Sequence, residues 1–225
     1  MSGEPIVGGV RAEVEGRYLL VPAAGGGPAP LVVGFHGYGE SAEASLRALA
    51  PIPGVGGWHR AAIQALHPFY NTRSRQVVAS WMTSLDREQA IVDNARYVAA
   101  ALDAVGERVR VEGPTVLAGF SQGTAMTYRA AALSTGRCLG LIALGGDLPP
   151  ELAGIEWRSR PRVLVGRGRD DEWYDEAKLA ADVRRLEGLG LEVTVCRFDG
   201  GHEWTEAFYH ACGELLAAVR ESAPA

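Results

Sequence analysis

Short apolar runs alternate along the chain with patterns typical of amphipathic helices, and this alternation limits the possible folds more than any other feature. The runs at residues 31–35, 139–144 and 162–165 have the length and composition of strands that are buried on both faces. Helix patterns such as those at residues 122–133 and 175–189 are interspersed with them. Parallel strands need crossover segments of this kind. The sequence therefore predicts an α/β fold, with a mostly parallel central sheet and helices on both faces.

The other predicted elements continue the alternation. They comprise three strands, at residues 17–21, 115–118 and 192–198, and three helices, at residues 41–50, 86–106 and 203–220. The stretch around residues 51–77 is the hardest to assign, with a short element at residues 58–66 and a strand at residues 76–79. This is the only long stretch without a clear assignment, and it is too short to form a large cap domain.

The chain of 225 residues is long enough for one substantial core, and we expect residues 1–225 to form a single domain. Its formal net charge of −5 argues against nucleic acid as a partner, because phosphate binding needs a basic face. Cys138, Cys196 and Cys212 are odd in number and widely spaced, which argues against a disulfide framework or a metal site. The pattern of a leader peptide is missing, as is any run of about 18 apolar residues, so we expect a cytoplasmic protein without membrane insertion.

Gly119, Phe120, Ser121, Gln122 and Gly123 form a Gly-x-Ser-x-Gly motif between a predicted buried strand and a predicted helix. A nucleophile elbow requires this context, because its serine lies on a sharp, strained strand-to-helix turn. The two glycines allow the strand and the helix to close around the turn. The motif predicts that Ser121 is a nucleophile that attacks carbonyl carbon atoms. In the simpler alternative, Ser121 caps the helix in a glycine-rich turn.

A nucleophilic serine needs a base that takes its proton and an acid that orients the base. His202 follows the last predicted strand, where the carboxyl ends of strands converge, and is the candidate base. Asp171 follows the strand at residues 162–165 and is the preferred acid, because the chain order Ser121, Asp171, His202 is typical of nucleophile elbows. Asp170 and Asp147 also follow strands and remain alternative acids.

Two backbone N–H groups are expected to stabilise the oxyanion that forms when a carbonyl is attacked. The first is that of Gln122, which follows Ser121 at the start of a helix. The second is assigned to Tyr38, in the glycine-containing loop after the strand at residues 31–35. His36 belongs to the same loop, and we expect it to support that loop by hydrogen bonding.

The segments at residues 35–39, 119–123, 168–171 and 201–202 together resemble the α/β-hydrolase superfamily, in particular its phospholipase/carboxylesterase branch. That branch includes bacterial carboxylesterases and acyl-protein thioesterases, and the resemblance spans residues 31–218. Its acid stands in a Gly-x-x-Asp pattern, which favours Asp171 over Asp170. The resemblance also implies that Trp81 lines the acyl pocket, with core packing as the alternative.

One departure from the branch is visible. Glu172, Trp173 and Tyr174 follow the acid, where the branch usually has a proline and a valine. The pocket wall near the acid is therefore expected to be more aromatic and more polar than in the branch, which leaves the substrate open.

The residues and the resemblance together predict a serine carboxylesterase that hydrolyses short- to medium-chain carboxylic esters through an acyl-enzyme on Ser121. Tyr38 and Trp81 are expected to contact the substrate. We expect no cofactor and no metal, a small-molecule ester as the partner, and a monomer or a homodimer. A lysophospholipase, an acyl thioesterase and a non-catalytic binder of small ligands on the same fold are the alternatives.

Overall fold

Nine strands and five α-helices make up the part of the chain that the computed structural model describes, which is residues 3–133, 138–152, 154–157 and 159–222. The strands are β1 (Tyr18–Val21), β2 (Ala29–Phe35), β3 (His59–Ile63), β4 (His67–Tyr70), β5 (Val77–Ser80), β6 (Val111–Phe120), β7 (Cys138–Leu144), β8 (Arg162–Gly168) and β9 (Val193–Phe198). The helices are α1 (Ala42–Leu49), α2 (Arg87–Arg108), α3 (Gln122–Leu133), α4 (Glu176–Gly188) and α5 (Glu206–Glu221).

Seven of these strands form one sheet in the order β1, β3, β2, β6, β7, β8, β9. Strand β1 pairs with β3 in the antiparallel direction, and every other neighbouring pair in the sheet is parallel. The prediction of a mostly parallel central sheet is confirmed. The carboxyl ends of β2, β6, β7, β8 and β9 therefore meet at one edge of the sheet, and ligands bind at this edge in folds of this kind.

Helices cover both faces of the sheet, as predicted. On one face, Val33 and Phe35 of β2 pack in a core with apolar side chains of α2, α3 and α4. On the other face, Val32 packs in a second core with side chains of α1 and α5. Successive side chains of a strand point to opposite faces. A strand buried at all seven positions, as β2 is, must therefore be apolar throughout, which explains its uninterrupted apolar sequence.

Strands β4 and β5 form a separate antiparallel hairpin, and the sequence pattern did not predict β4. All four side chains of β4 are exposed and one of them is Pro68, so the strand has no apolar alternation to reveal it. The hairpin lies beside the loop that follows β2. Gly39 donates its N–H to the carbonyl of Ala79 over 3.0 Å, and Ala79 donates its own to Glu40 over 2.8 Å. The hairpin thereby fixes the position of the loop that contains Tyr38.

Three of the five described α-helices begin after a capping side chain. Ser41 accepts the N–H of Ala44 at the start of α1, and Asp175 accepts that of Lys178 at the start of α4. The predicted start of the last helix at residue 203 is wrong, because the hydroxyl of Thr205 caps α5. Residues 203 and 204 belong instead to the loop that carries His202. Within the described ranges, no helix has the length and apolar character needed to cross a membrane.

Candidate active site

Ser121 lies on a sharp turn between β6 and α3. Its φ of 52° is in the left-handed region, which is rare for a residue with a side chain and costs about 1–2 kcal/mol. The N–H of Ser121 donates to the carbonyl of Leu144 over 2.8 Å, and this bond holds the turn against the end of β7. The strained conformation is the one that the nucleophile elbow requires.

The two glycines of the motif have a steric role. A Cβ atom at Gly119 would lie 2.5 Å from the carbonyl oxygen of Gly123. A Cβ atom at Gly123 would collide with the carbonyl oxygens of Phe35 and His36 at the end of β2. Strand β6, helix α3 and strand β2 therefore approach one another as closely as they do only because both residues lack side chains.

His202 contacts one of the three candidate acids, Asp171. The Nδ1 atom of His202 lies 2.8 Å from Oδ2 of Asp171, whose side chain is 1% exposed. The other carboxylate oxygen accepts the N–H groups of Trp173, over 2.9 Å, and Tyr174, over 3.0 Å. Since a carboxylate only accepts hydrogen bonds, the proton in the contact belongs to Nδ1, and Nε2 is left as the acceptor.

The other two candidate acids are in different surroundings. Asp170 is exposed, and its backbone N–H donates to Gly200. Asp147 is 59% exposed and lies 3.8 Å from the Nζ atom of Lys178. Within the described part of the chain, neither forms a hydrogen bond or an ion pair with His202. The geometry therefore favours the acid that both the chain order and the resemblance favour.

Ser121 and His202 line a common cavity of about 550 Å³ at the carboxyl edge of the sheet. Tyr38 and Gln122 line it as well, and so do Trp173 and Tyr174, which follow the acid. A larger cavity, of about 640 Å³, lies between α2, α3 and the sheet. Its lining is mostly aliphatic and includes none of the predicted site residues. Because Ser121 and His202 line the smaller cavity, we assign the candidate site to it.

Phe120 and Gly145 determine where the His202 ring lies. The ring of Phe120, the neighbour of Ser121, has its centroid 4.8 Å from that of His202. A Cβ atom on Gly145 would lie 2.9 Å from Cε1 of His202 and 3.3 Å from Oδ2 of Asp171. Gly145, which follows β7, thus leaves the space that the imidazole and the carboxylate occupy.

The Gly145→Ala variant should lose activity because its methyl group displaces the His202 ring. We expect kcat/KM for an activated ester to fall at least about tenfold, since small misplacements of catalytic groups are costly. Gly154→Ala is the matched control: Gly154 also has a positive φ, 87°, but has no atom within 4 Å of its Cβ position. Both variants should lose about 1–2 kcal/mol of stability to backbone strain. Equal activities of the two variants would contradict the steric role of Gly145.

The loop after β2 and the start of α3 present two backbone donors near Ser121. The N–H groups of Tyr38 and Gln122 have no protein acceptor in the described ranges. A Cβ atom on Gly37 would lie 3.3 Å from Cβ of Ser121, so the loop passes close to the serine. The arrangement leaves both N–H groups available to an oxygen atom bound in the cavity.

The side chain of Gln122 connects the elbow to the segment that follows β5, a role that was not predicted from the sequence. Its Oε1 accepts the N–H of Trp81 over 2.9 Å, and its Nε2 donates to the carbonyl of Met82 over 2.9 Å. A glutamine next to the nucleophile is a signal for such a contact, but only the fold identifies its partners.

The structure places Trp81 in the core rather than on the cavity wall. Its side chain is fully buried, and its indole N–H donates to the carbonyl of His36 over 2.9 Å. It packs beside Phe35, with ring centroids 5.7 Å apart, and it is not among the residues that line the cavity of Ser121. The core-packing alternative is therefore the one that the structure favours.

His36 supports the loop of Tyr38 by hydrogen bonding, as predicted. Its ring is fully buried, and Nδ1 lies 2.8 Å from the carbonyl oxygen of Gly37, while Nε2 accepts the N–H of Ala65 over 3.0 Å. A carbonyl only accepts and an amide only donates, so the ring is neutral with its proton on Nδ1. Burial lowers the pKa of His36, and the bond to Gly37 only partly counteracts this.

This lowered pKa predicts a loss of stability in mild acid. The unfolded chain takes up a proton at His36 near a pKa of about 6.5, whereas the folded protein takes it up only at lower pH. The free energy of unfolding should therefore fall as the pH drops below about 6.5, until the folded pKa is passed. Urea unfolding at about pH 7.5 and about pH 5.5 measures the change, and His36→Gln should lose less stability over this interval. An equal loss in both proteins would rule out His36 as the cause.

Among the described residues, no cluster of three or more His, Cys, Asp or Glu side chains is arranged so that it could hold a metal ion. The three cysteines are free thiols, with Cys138 and Cys212 buried and Cys196 partly exposed. Burial raises the pKa of Cys138 to about 12, so this thiol is not a nucleophile at neutral pH.

Comparison with solved structures supports the fold. Esterase PE8 is 23% identical, with a TM-score of 0.73, over 92% of this chain and 100% of that chain. A carboxylesterase from Mesorhizobium loti is 20% identical, with a TM-score of 0.73, over 90% of this chain and 94% of that chain. A Bacillus cereus carboxylesterase is 13% identical, with a TM-score of 0.73, over 91% and 94%. Among curated proteins, none matches the sequence.

Residues 76–184 match the family described as Phospholipase/Carboxylesterase. The matched range contains the elbow with Ser121 and the segment with Asp171, and it ends before His202. The family and the structural neighbours are carboxylesterases, which are serine hydrolases. The chain therefore has the α/β-hydrolase fold, and over residues 76–184 it is similar to this family of serine hydrolases.

Proposed function

We propose that the protein is a serine carboxylesterase that hydrolyses short- to medium-chain carboxylic esters. The observation that carries the proposal is the hydrogen bond between His202 and Asp171, in a cavity that also contains Ser121 on its strained turn. A binding protein has no need of an oriented imidazole beside a strained serine. This argues against a non-catalytic binder on the same fold.

In the proposed mechanism, Ser121 Oγ attacks the carbonyl carbon of the ester while Nε2 of His202 takes the hydroxyl proton. Asp171 holds the ring in the tautomer that leaves Nε2 unprotonated and stabilises the imidazolium that forms. The same proton then passes to the departing alkoxide, and the alcohol leaves. Water attacks the acyl-enzyme with His202 as the base, which releases the acid and restores the serine.

The backbone N–H groups of Tyr38 and Gln122 are the proposed oxyanion donors. Gln122 is the first residue of α3, so its N–H is also at the positive end of the helix dipole. Each such donor typically contributes about 3 kcal/mol to transition-state stabilisation. The hydrogen bonds of His36 and of the β4–β5 hairpin fix the first donor, and the Gln122 side chain fixes the second.

The cavity volume supports small esters as substrates. About 550 Å³ lies within the range of sites for small molecules, and within the described residues no cap domain extends the cavity. The exposed rings of Tyr38 and Trp173 border it, 63% and 74% exposed. A lysophospholipid or an acyl thioester with a long chain would leave much of its chain in water.

Labelling with a fluorophosphonate combined with an ester panel tests the proposal. The reagent should modify Ser121 stoichiometrically, and 4-nitrophenyl esters of two to eight carbons should be better substrates than the sixteen-carbon ester. A protein that does not react with the reagent would be a binder. A clear preference for the longest chain, for a lysophospholipid or for an acyl thioester would replace the proposed substrate class.

A further inference from the structure

Basic side chains line the cavity that contains Ser121. Three cationic side chains line it, Arg87, Arg129 and Lys178, and Asp147 lies beside the lysine. The two arginines lie next to one further carboxylate, that of Glu151. At the pair of arginines, two cations therefore face one carboxylate, in a protein whose formal net charge is −5. This local excess needs an explanation, because the rest of the chain is acidic.

The two arginines share a single carboxylate. Nε of Arg129 donates to Oε1 of Glu151 over 2.8 Å, and a terminal nitrogen of Arg87 lies 3.5 Å from Oε2 of the same group. One negative charge cannot neutralise two guanidinium groups. The longer contact belongs to Arg87, whose side chain is 43% exposed, so this side chain is free to turn toward a ligand.

Arg129 has hydrogen-bond donors without a good acceptor. Its side chain is only 2% exposed, and the contacts of its NH1 group in the described structure are the sulfur atoms of Met82 and Met126, at 3.9 and 3.8 Å. Thioether sulfur is a weak acceptor. Glu151 pairs with the Nε and NH2 groups of Arg129 but leaves NH1 with the two sulfur atoms, so an anion in the adjoining cavity would improve the surroundings of NH1.

We propose that this pair of arginines binds an anionic group of the substrate, so that the preferred esters carry a carboxylate. The inference rests on the proposed function and specifies its substrate class. Arginine suits this role because its planar fork binds carboxylates through two parallel hydrogen bonds. The excess of positive charge at the two arginines also attracts anionic substrates selectively.

Two matched pairs of esters test the inference. 4-Nitrophenyl hemiadipate, which carries a carboxylate on its acyl chain, is compared with the neutral ester 4-nitrophenyl hexanoate. The rate without enzyme is subtracted from each measurement. 3-Carboxyphenyl butyrate, which carries the carboxylate on its leaving group, is compared with the neutral ester phenyl butyrate. In at least one pair we expect kcat/KM to be about tenfold higher for the charged ester, equivalent to about 1.4 kcal/mol. The preference should shrink in high salt.

The Arg87→Gln variant should reduce this charged-to-neutral ratio about tenfold. Arg96→Gln is the matched control, because Arg96 is exposed on the same helix and does not line the cavity. It should change the ratio by less than about twofold. No preference in either pair, or equal effects of the two substitutions, would overturn the inference while leaving the esterase proposal intact. If none of the four esters is hydrolysed and the fluorophosphonate does not label Ser121, the esterase proposal itself fails.

Discussion

Replacing Ser121 by alanine should lower kcat/KM for an activated ester by a factor on the order of 10⁴ or more. The acyl-enzyme pathway requires the hydroxyl, and no other serine, threonine or cysteine lines the cavity in the described structure. The fold should be unaffected, because the hydrogen bond that holds the turn comes from the backbone N–H of Ser121. Steady-state kinetics and thermal unfolding measure the two effects separately.

Ser84→Ala is the control for this substitution. Ser84 is exposed, lies between β5 and α2, and does not line the cavity. Its replacement should change neither the rate nor the melting temperature. Substantial ester hydrolysis by a folded Ser121→Ala protein would mean that another group attacks the substrate.

Replacing Asp171 by asparagine should lower kcat by about 10³–10⁴-fold with little change in structure. The asparagine carbonyl can still accept the N–H groups of Trp173 and Tyr174, but its amide nitrogen would then face Nδ1 of His202. An amide donor favours the tautomer with the proton on Nε2. That tautomer cannot take the proton of Ser121.

Asp170→Asn and Asp147→Asn are matched controls for the acid. Each removes the same charge near the same edge of the sheet, and neither side chain bonds His202 in the described structure. Both variants should keep activity within a few-fold of the native protein. A loss in Asp170→Asn as large as that in Asp171→Asn would show that the acid was wrongly chosen.

The local elements of the site were predictable from the sequence because each has a short-range cause. The elbow follows from two glycines around Ser121 between a strand and a helix, and the glycines are required by contacts within a few residues or at the end of β2. His202 was identified by its position after the last strand. The parallel sheet brings such loop residues to one edge whatever the details of the loops.

Residues whose role depends on distant contacts were harder to assign. The sequence left three aspartates as possible acids, because spacing does not reveal which carboxylate meets an imidazole 31 residues away. Trp81 matched a pocket position by resemblance, yet its indole N–H bonds the carbonyl of His36, 45 residues away, inside the core. No sequence pattern distinguishes Gly145, because its contact with His202 depends on the fold.

The charge of the cavity was hidden for the same reason. Arg87 and Arg129 lie in different α-helices and Glu151 in a later 3₁₀ helix, so their shared contact cannot be inferred from a net charge of −5. The exposed strand β4 was missed because its side chains contribute little to a core. Patterns of apolar residues identify elements that pack, and they say little about elements that only border a site.

The most direct test of the account is the detection of an acyl-enzyme on Ser121. The protein is mixed with 4-nitrophenyl butyrate, quenched in acid during the burst of nitrophenol release, and analysed by mass spectrometry after proteolysis. We predict a burst close to one equivalent and a butyryl group on the peptide that contains Ser121, absent in Ser121→Ala. Ester turnover without any acylated serine at this position, or with acylation at another residue, would contradict the account.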